Sequence, residues 1–119
     1  MDTLKKIFSE QKDFQRFFYS PEDLTFKQKV DLSKEYILSA SSELSEILAT
    51  LPWKTHRRYD DYYFVKENLR EEIIDLIKFV LNLCVIWDIT PEQFVKDFFT
   101  KSNKVRLRYS NEKKYIKKS

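Results

Sequence analysis

The sequence predicts an all-α protein with a four-helix, bundle-like core. Glycine is absent and the 119 residues include only three prolines, which disfavours the tight hairpin turns of β folds. Apolar residues make up 42% of the chain and recur at helical spacing, which is enough for one modest core. We therefore expect one helical domain over residues 1–109 and a basic, frayed tail over residues 110–119.

The first half of the chain contains two predicted helices. Apolar residues at helical spacing favour the first over residues 2–18. Ser20 and Pro21 are typical of a helix start, because serine caps a helix end and proline suits the first turn. This start is expected to lead into a second helix over residues 26–51, which Pro52 ends because proline breaks helices.

The second half contains two more predicted helices. Residues 53–63 are expected to form a loop rich in charged and aromatic side chains, followed by a third helix over residues 65–87. The run Thr-Pro-Glu-Gln that begins at Thr90 combines a capping threonine, a proline at the first helical position and a glutamine at the third. It predicts a fourth helix over residues 91–108.

The composition excludes several classes of site. Without glycine, neither a P-loop nor a dinucleotide-binding fingerprint is possible. The single cysteine, Cys84, cannot form an internal disulfide or a thiolate zinc site, and its apolar surroundings indicate a small core residue. The single histidine, His56, excludes a multi-histidine metal site. No signal peptide or membrane span is recognised, so we expect a cytoplasmic protein with no membrane partner.

The charge is distributed unevenly along the chain. From Lys101 onward there are eight basic residues and one acidic residue, whereas the rest of the chain carries fourteen basic and eighteen acidic residues. A basic tail, together with Arg57 and Arg58, could hold nucleic acid or an acidic partner. This alternative is a non-catalytic interaction module. A charged chain end is more often only solvated, so we do not expect nucleic acid as a partner.

Two pairs of acidic residues are candidates for chemistry. Glu43 and Glu46 are three residues apart on the second helix, and Glu72 and Asp75 are three apart on the third, so each pair shares one face. Apolar residues surround Asp75 on nearly every other side of its helix, which predicts that this helix is buried. Buried carboxylates must be paired, protonated or bound to metal. Ligands that are all oxygen suit Mg²⁺ or Mn²⁺.

A second interpretation remains open for these acids. They could form salt bridges on a solvated face with Lys54, Arg70 or Lys78. In the first interpretation a metal ion neutralises the carboxylates, and in the second the protein's own lysine and arginine side chains do so.

The order of these motifs resembles a known family. Glu43-Leu-Ser-Glu46, 25 intervening residues and Glu72-Ile-Ile-Asp75 look like the ExxE…ExxD signature of the all-α NTP pyrophosphatases, which include MazG-like enzymes and dimeric dUTPases. The later pattern from Phe98 through Lys101 and Val105 to Arg108 is similar to a basic element of that family. Trp53-Lys54 resembles a Lys/Trp cluster of the dimeric dUTPase branch. The resemblance covers residues 8–108.

The resemblance implies a function and a set of roles. It implies hydrolysis of a nucleoside triphosphate, with dUTP-like or dCTP-like substrates favoured, to the monophosphate and pyrophosphate, by a homodimer or higher homo-oligomer. Mg²⁺, or Mn²⁺ in its place, would be the cofactor. The catalytic, metal-binding acids would be Glu43, Glu46, Glu72 and Asp75. The phosphates would be bound by Lys54, Lys101 and Arg108. For the base, we nominate Trp53, Phe79 and Asn82 from their chemistry, because an aromatic ring can stack on a base and an amide can bond to its edge, with Gln11 a weaker candidate. Phe79 and Trp53 could equally be core or dimer-interface residues. Because the family usually has an acid where Ser42 stands, a catalytically inactive relative remains a third interpretation.

Overall fold

The computed structural model describes residues 2–52 and 64–118, with side chains described as far as Glu112. Its elements are α1 (Thr3–Gln15), a short 3₁₀ turn (Pro21–Asp23), α2 (Phe26–Ala49), α3 (Lys66–Ile86) and α4 (Pro91–Lys118). No strand occurs among these residues, so the all-α prediction is confirmed. The predicted loop over residues 53–63 lies outside the described residues.

The chain divides into two compact units. Met1–Asp88 holds α1, α2 and α3, and Ile89–Ser119 holds α4. Within the described ranges, no helix combines the length and the apolar character that crossing a membrane requires.

Two helices begin with a reciprocal capping box. At the start of α2, Thr25 Oγ1 accepts a hydrogen bond from the Gln28 backbone N–H at 3.2 Å, and the Gln28 side chain accepts from the Thr25 N–H at 2.8 Å. Thr90 and Gln93 make the same pair of bonds at 3.1 and 3.0 Å, as the sequence predicts. Ser20 precedes only a 3₁₀ turn and makes no side-chain capping bond.

Two helix ends differ from the sequence-based expectation. α1 ends at Gln15 rather than near Phe18, because the chain tightens into a turn in which the Phe17 N–H donates to the Phe14 carbonyl at 3.2 Å. α4 continues past Arg108 to Lys118. No proline or glycine interrupts this last segment, and its lysine and glutamate residues are good helix formers.

α2 and α3 pack antiparallel along their length. Lys29 Nζ lies 3.2 Å from a carboxylate oxygen of Asp88, which joins the start of α2 to the residues that follow α3. The ring centroids of Tyr36 and Phe79 lie 6.3 Å apart, about two turns further along α2 and two turns back along α3. A further two turns on, this register sets Glu43 opposite Glu72.

The apolar core of the first unit lies where α1 packs on the C-terminal half of α3. Its buried apolar residues are Phe8, Leu81, Cys84, Val85 and Ile86. The expectation that Cys84 is a core residue is therefore confirmed, and burial raises the pKa of its thiol.

The N-terminal half of α3 is not buried within one chain. Ile73 and Ile74 are 41% and 54% exposed, and Asp75 is exposed. The prediction that α3 is buried all around Asp75 is therefore wrong for the single chain. The physical reason is coverage: the buried residues of α3 lie in its C-terminal half, where Asn82 is bonded to α1.

Candidate metal centre

Three glutamates from two helices meet in the part of the α2–α3 pair where α2 ends and α3 begins. Glu43 and Glu46 share one face of α2 because they are one turn apart, and the antiparallel register brings Glu72 of α3 to them. Each residue offers a carboxylate oxygen that lies within 4.8 Å of the other two. Glu43 and Glu72 are half-buried, and Glu46 is exposed. We call these residues the acidic cluster.

Asp75 lies at the edge of the acidic cluster and not within it. It is exposed and is not one of the residues whose oxygens meet within 4.8 Å. Its charge nevertheless acts on the cluster, because it is among the neighbouring carboxylates that raise the pKa of Glu72. The structure thus brings together three of the predicted metal-binding acids and leaves the fourth beside them.

The acidic cluster needs a proton or a cation. The pKa of Glu72 is raised above its ordinary value of 4.5, chiefly because the protonated carboxyl can donate a hydrogen bond to Glu43, and further by burial and by the negative charge of Glu43. Oε2 of Glu43 is buried, and no donor in the described residues reaches it. Ionised carboxylates only accept hydrogen bonds, so the three side chains cannot satisfy one another.

The described lysines and arginines do not satisfy the cluster. Neither Arg70 nor Lys78 lies within 4.0 Å of a carboxylate oxygen of these acids in the described part of the chain. The salt-bridge interpretation therefore finds no support from these two residues. Its third candidate, Lys54, lies outside the described residues.

The donor set fits a hard divalent cation. All three side chains offer carboxylate oxygens, the ligands preferred by Mg²⁺ and Mn²⁺. Mg²⁺ binds oxygen at about 2.0–2.1 Å, so ligands on opposite sides of the ion lie about 4 Å apart. The observed spread of up to 4.8 Å is slightly wider, and a small rotation of the side chains would bring the oxygens onto one ion. Such an ion would also provide a partner for Oε2 of Glu43.

Two of the predicted base-binding residues lie on α3, Phe79 about two turns and Asn82 about 15 Å along the helix axis from Glu72. Phe79 is half-buried and its ring packs against Tyr36. Asn82 is buried, and its Oδ1 accepts hydrogen bonds from Nε2 of Gln11 at 2.7 Å and Nε2 of Gln15 at 3.1 Å. Trp53 lies outside the described residues. Base binding by these residues stays a prediction.

None of the predicted phosphate-binding residues lies on the described parts of α2 or α3, the helices that carry the acidic cluster. Lys101 and Arg108 are exposed side chains of α4, in the second unit, and Lys54 lies outside the described residues. Their role in binding phosphate stays a prediction.

Sequence reasoning missed the hydrogen bonds between Gln11, Gln15 and Asn82, which we call the amide cluster. All three side chains are buried, and the Gln15 side chain also donates to the Asn82 carbonyl oxygen at 3.2 Å. The spacing of the two glutamines, one helical turn apart among the apolar residues of α1, is the signal that could have revealed it.

Comparison of the chain with protein-family models, with curated proteins and with solved structures gives no match. The fold and the acidic cluster therefore stand on the geometry described above, and the likeness to the all-α NTP pyrophosphatases rests on the sequence motifs alone.

Proposed function

We propose that the protein is a Mg²⁺-dependent nucleoside triphosphate pyrophosphohydrolase that forms the nucleoside monophosphate and pyrophosphate. The observation that carries this proposal is the acidic cluster, in which oxygens from three glutamates lie within 4.8 Å of one another and no described cation neutralises them. The ExxE…ExxD pattern supports the same conclusion from the sequence. The resemblance favours a dUTP-like or dCTP-like substrate.

Within this proposal the chain's acids hold the metal. Glu43, Glu46 and Glu72 hold one or more Mg²⁺ ions, and Asp75 joins them from the edge of the cluster. A bound Mg²⁺ supplies a water of lowered pKa and neutralises charge that develops on the phosphate oxygens. Because the carboxylates come from two packed helices, the protein fixes their separation before substrate binds.

The substrate-binding groups of the proposal come from the sequence prediction. Arginine and lysine suit phosphate because they donate charge-assisted hydrogen bonds. An aromatic ring can stack on a base, and an amide can bond to its edge. The phosphate-binding side chains are Lys54, Lys101 and Arg108, and those for the base are Trp53, Phe79 and Asn82.

We further propose that two copies pair through the apolar faces that α2 and α3 leave exposed. On α2 the face consists of Ile37, Leu44 and Leu48, which recur at seven-residue and four-residue spacing and are 43–56% exposed. On α3 it consists of Ile73, Ile77 and Val80, which are 40–46% exposed. Helices with such stripes bury them in bundles, and two α2–α3 pairs make a four-helix bundle.

The test is pyrophosphate release from a panel of ribonucleoside and deoxyribonucleoside triphosphates with Mg²⁺. We expect turnover by the wild type, and its loss in Glu46→Gln and Asp75→Asn, which keep the side-chain shape but remove the charge. Mutating a residue that only hydrogen-bonds to a metal ligand typically lowers activity by roughly 10–100-fold. Because Glu46 and Asp75 are proposed to act on the metal directly, the loss in these variants should be larger.

Asp31→Asn is the matched control, because Asp31 is an exposed acid of α2 outside the acidic cluster. It should retain wild-type turnover. Absence of pyrophosphate release from every nucleotide, with Mg²⁺ and with Mn²⁺, would sink the proposal and favour the interaction module.

A further inference from the structure

An open depression lies along the N-terminal half of α3, beside the acidic cluster. It has a volume of about 690 Å³, and among the described residues its lining comes from α3 alone. Asp75 lines it, and this residue also acts electrostatically on Glu72 of the cluster. The depression and the acidic cluster are therefore neighbours on one helix.

Two cationic side chains, Arg70 and Lys78, line the same depression. They stand on one face of α3 with Ile74 midway between them, because residues four apart stack on a helix. The rise of an α-helix separates their backbones by about 12 Å along the axis. Both side chains are long and flexible enough to converge on one extended anion between them.

These two cations have no ion-pair partner in the described part of the chain. Glu67 precedes Arg70 by three residues, and Asp75 precedes Lys78 by three, a spacing at which pairs commonly form on helices. Neither pair has an N–O distance within 4.0 Å. The donors of Arg70 and Lys78 are thus available to a ligand.

The remaining walls restrict what that ligand is. Among the described residues, three carboxylates line the depression with the two cations, so an anion alone meets a net negative charge from α3. An anion that carries a divalent cation avoids this repulsion, because the metal faces the acids and the anion faces the cations. A linear polyphosphate bound to Mg²⁺ has this charge pattern.

We propose that the depression binds the polyphosphate chain of the substrate, with Arg70 and Lys78 as phosphate-binding residues in addition to Lys54, Lys101 and Arg108. This inference rests on the proposed function for the identity of the ligand. It assigns phosphate contacts to α3 itself. Lys78 lies one turn from Asp75, and Arg70 lies within two turns of it. The guanidinium of Arg70 suits a bidentate contact to phosphate oxygens, and the ammonium of Lys78 acts as a point charge.

The test measures binding of inorganic tripolyphosphate with Mg²⁺ to the full chain by titration calorimetry. We expect the affinity to fall at least tenfold in Arg70→Ala and in Lys78→Ala. Arg70→Lys should fall between the wild type and Arg70→Ala, because it keeps the charge but loses the bidentate geometry. Lys66→Ala is the matched control: it removes a cation from an exposed position of the same helix outside the depression, and should bind like the wild type.

A second measurement separates this inference from the proposed function. Binding of Mn²⁺ in the absence of polyphosphate should be unchanged in Arg70→Ala and Lys78→Ala, because neither residue belongs to the acidic cluster. Suppose that Mn²⁺ binds. If tripolyphosphate then binds the wild type and both variants with equal affinity, or binds none of the three proteins, the inference is overturned and the metal site stands. If Mn²⁺ does not bind but tripolyphosphate still depends on both cations, the proposed function fails and the anion site stands.

Discussion

The amide cluster and the acidic cluster both lie between helices of the first unit, and α3 contributes to each. Asn82 belongs to the amide cluster and Glu72 to the acidic cluster, about 15 Å apart along the helix axis. The amide cluster is buried and held by hydrogen bonds of 2.7–3.2 Å among its own members. The acidic cluster is partly open, and its members repel one another.

The difference follows from the chemistry of the side chains. An amide is neutral and carries both donors and acceptors, so amides can pair with one another, although Oε1 of Gln15 is buried with no donor in the described residues. Ionised carboxylates carry only acceptors, so three of them together require a proton or a cation from outside. A cluster of the first kind stabilises a fold, whereas one of the second kind costs stability until a ligand arrives. This contrast is the physical reason to assign function to the acidic cluster.

The largest effect on stability is expected in the amide cluster. Asn82→Leu keeps the approximate size but leaves Nε2 of Gln11 without its acceptor and weakens the bonds of Gln15. Each orphaned buried group costs about 1–3 kcal/mol, so we expect the free energy of unfolding to fall by roughly 2–4 kcal/mol. Urea unfolding measures this change, and calorimetry should show unchanged Mn²⁺ affinity.

Thr25→Ala serves as the reference for that variant. It removes the capping box of α2, which lies outside both clusters, and should cost about 1 kcal/mol with no effect on Mn²⁺. If Asn82→Leu costs no more than Thr25→Ala, the amide cluster is not a main stabilising feature of this unit, and the contrast fails.

A smaller effect is expected when metal is added to the wild type. Mn²⁺ at ten times its dissociation constant should raise the free energy of unfolding by about 1.4 kcal/mol, because it binds only the folded chain. Thermal unfolding with and without Mn²⁺ measures this gain. Glu43→Gln should abolish it, since this change removes a ligand charge and alters the buried Oε2. An equal gain in Glu43→Gln would place the metal elsewhere.

The smallest effect concerns pH in the absence of metal. Folding raises the pKa of Glu72 above 4.5, so its favourable contribution is fully present below that value and is lost as the pH rises through the raised pKa. Glu72→Gln imitates the protonated acid at every pH. We therefore expect the variant to gain stability relative to the wild type as the pH rises from about 4.5 through the raised pKa of Glu72.

Urea unfolding across this pH range measures the difference between the two proteins. The Arg16–Glu22 ion pair does not contribute to the pH dependence of this difference. Arg16 lowers the pKa of Glu22 to about 2, so Glu22 stays ionised throughout the range. A difference that stays constant with pH would show that the acidic cluster carries no excess repulsion.

The sequence was a good guide to local structure and to the residues of the acidic cluster. Helix capping depends on neighbouring residues, so the Thr90 start was predictable from a short run of sequence, whereas the ends of α1 and α4 were not. The spacing of Glu43 and Glu46 placed both acids on one face of α2, because a helix repeats about every turn. The burial of α3 was wrong for one chain, because an apolar composition does not say which surface covers it.

The sequence by itself determined the helices, the single-cysteine chemistry and the residue types able to bind a hard cation. Only the tertiary structure decided that three of the acids meet within 4.8 Å, that Asp75 stands at their edge, and that Asn82 is bonded to two glutamines of α1. The reason is that sequence patterns report contacts between residues close together in the chain, not contacts between helices. Helical spacing fixes neighbours within a turn or two, whereas contacts between helices depend on the register in which their faces pack.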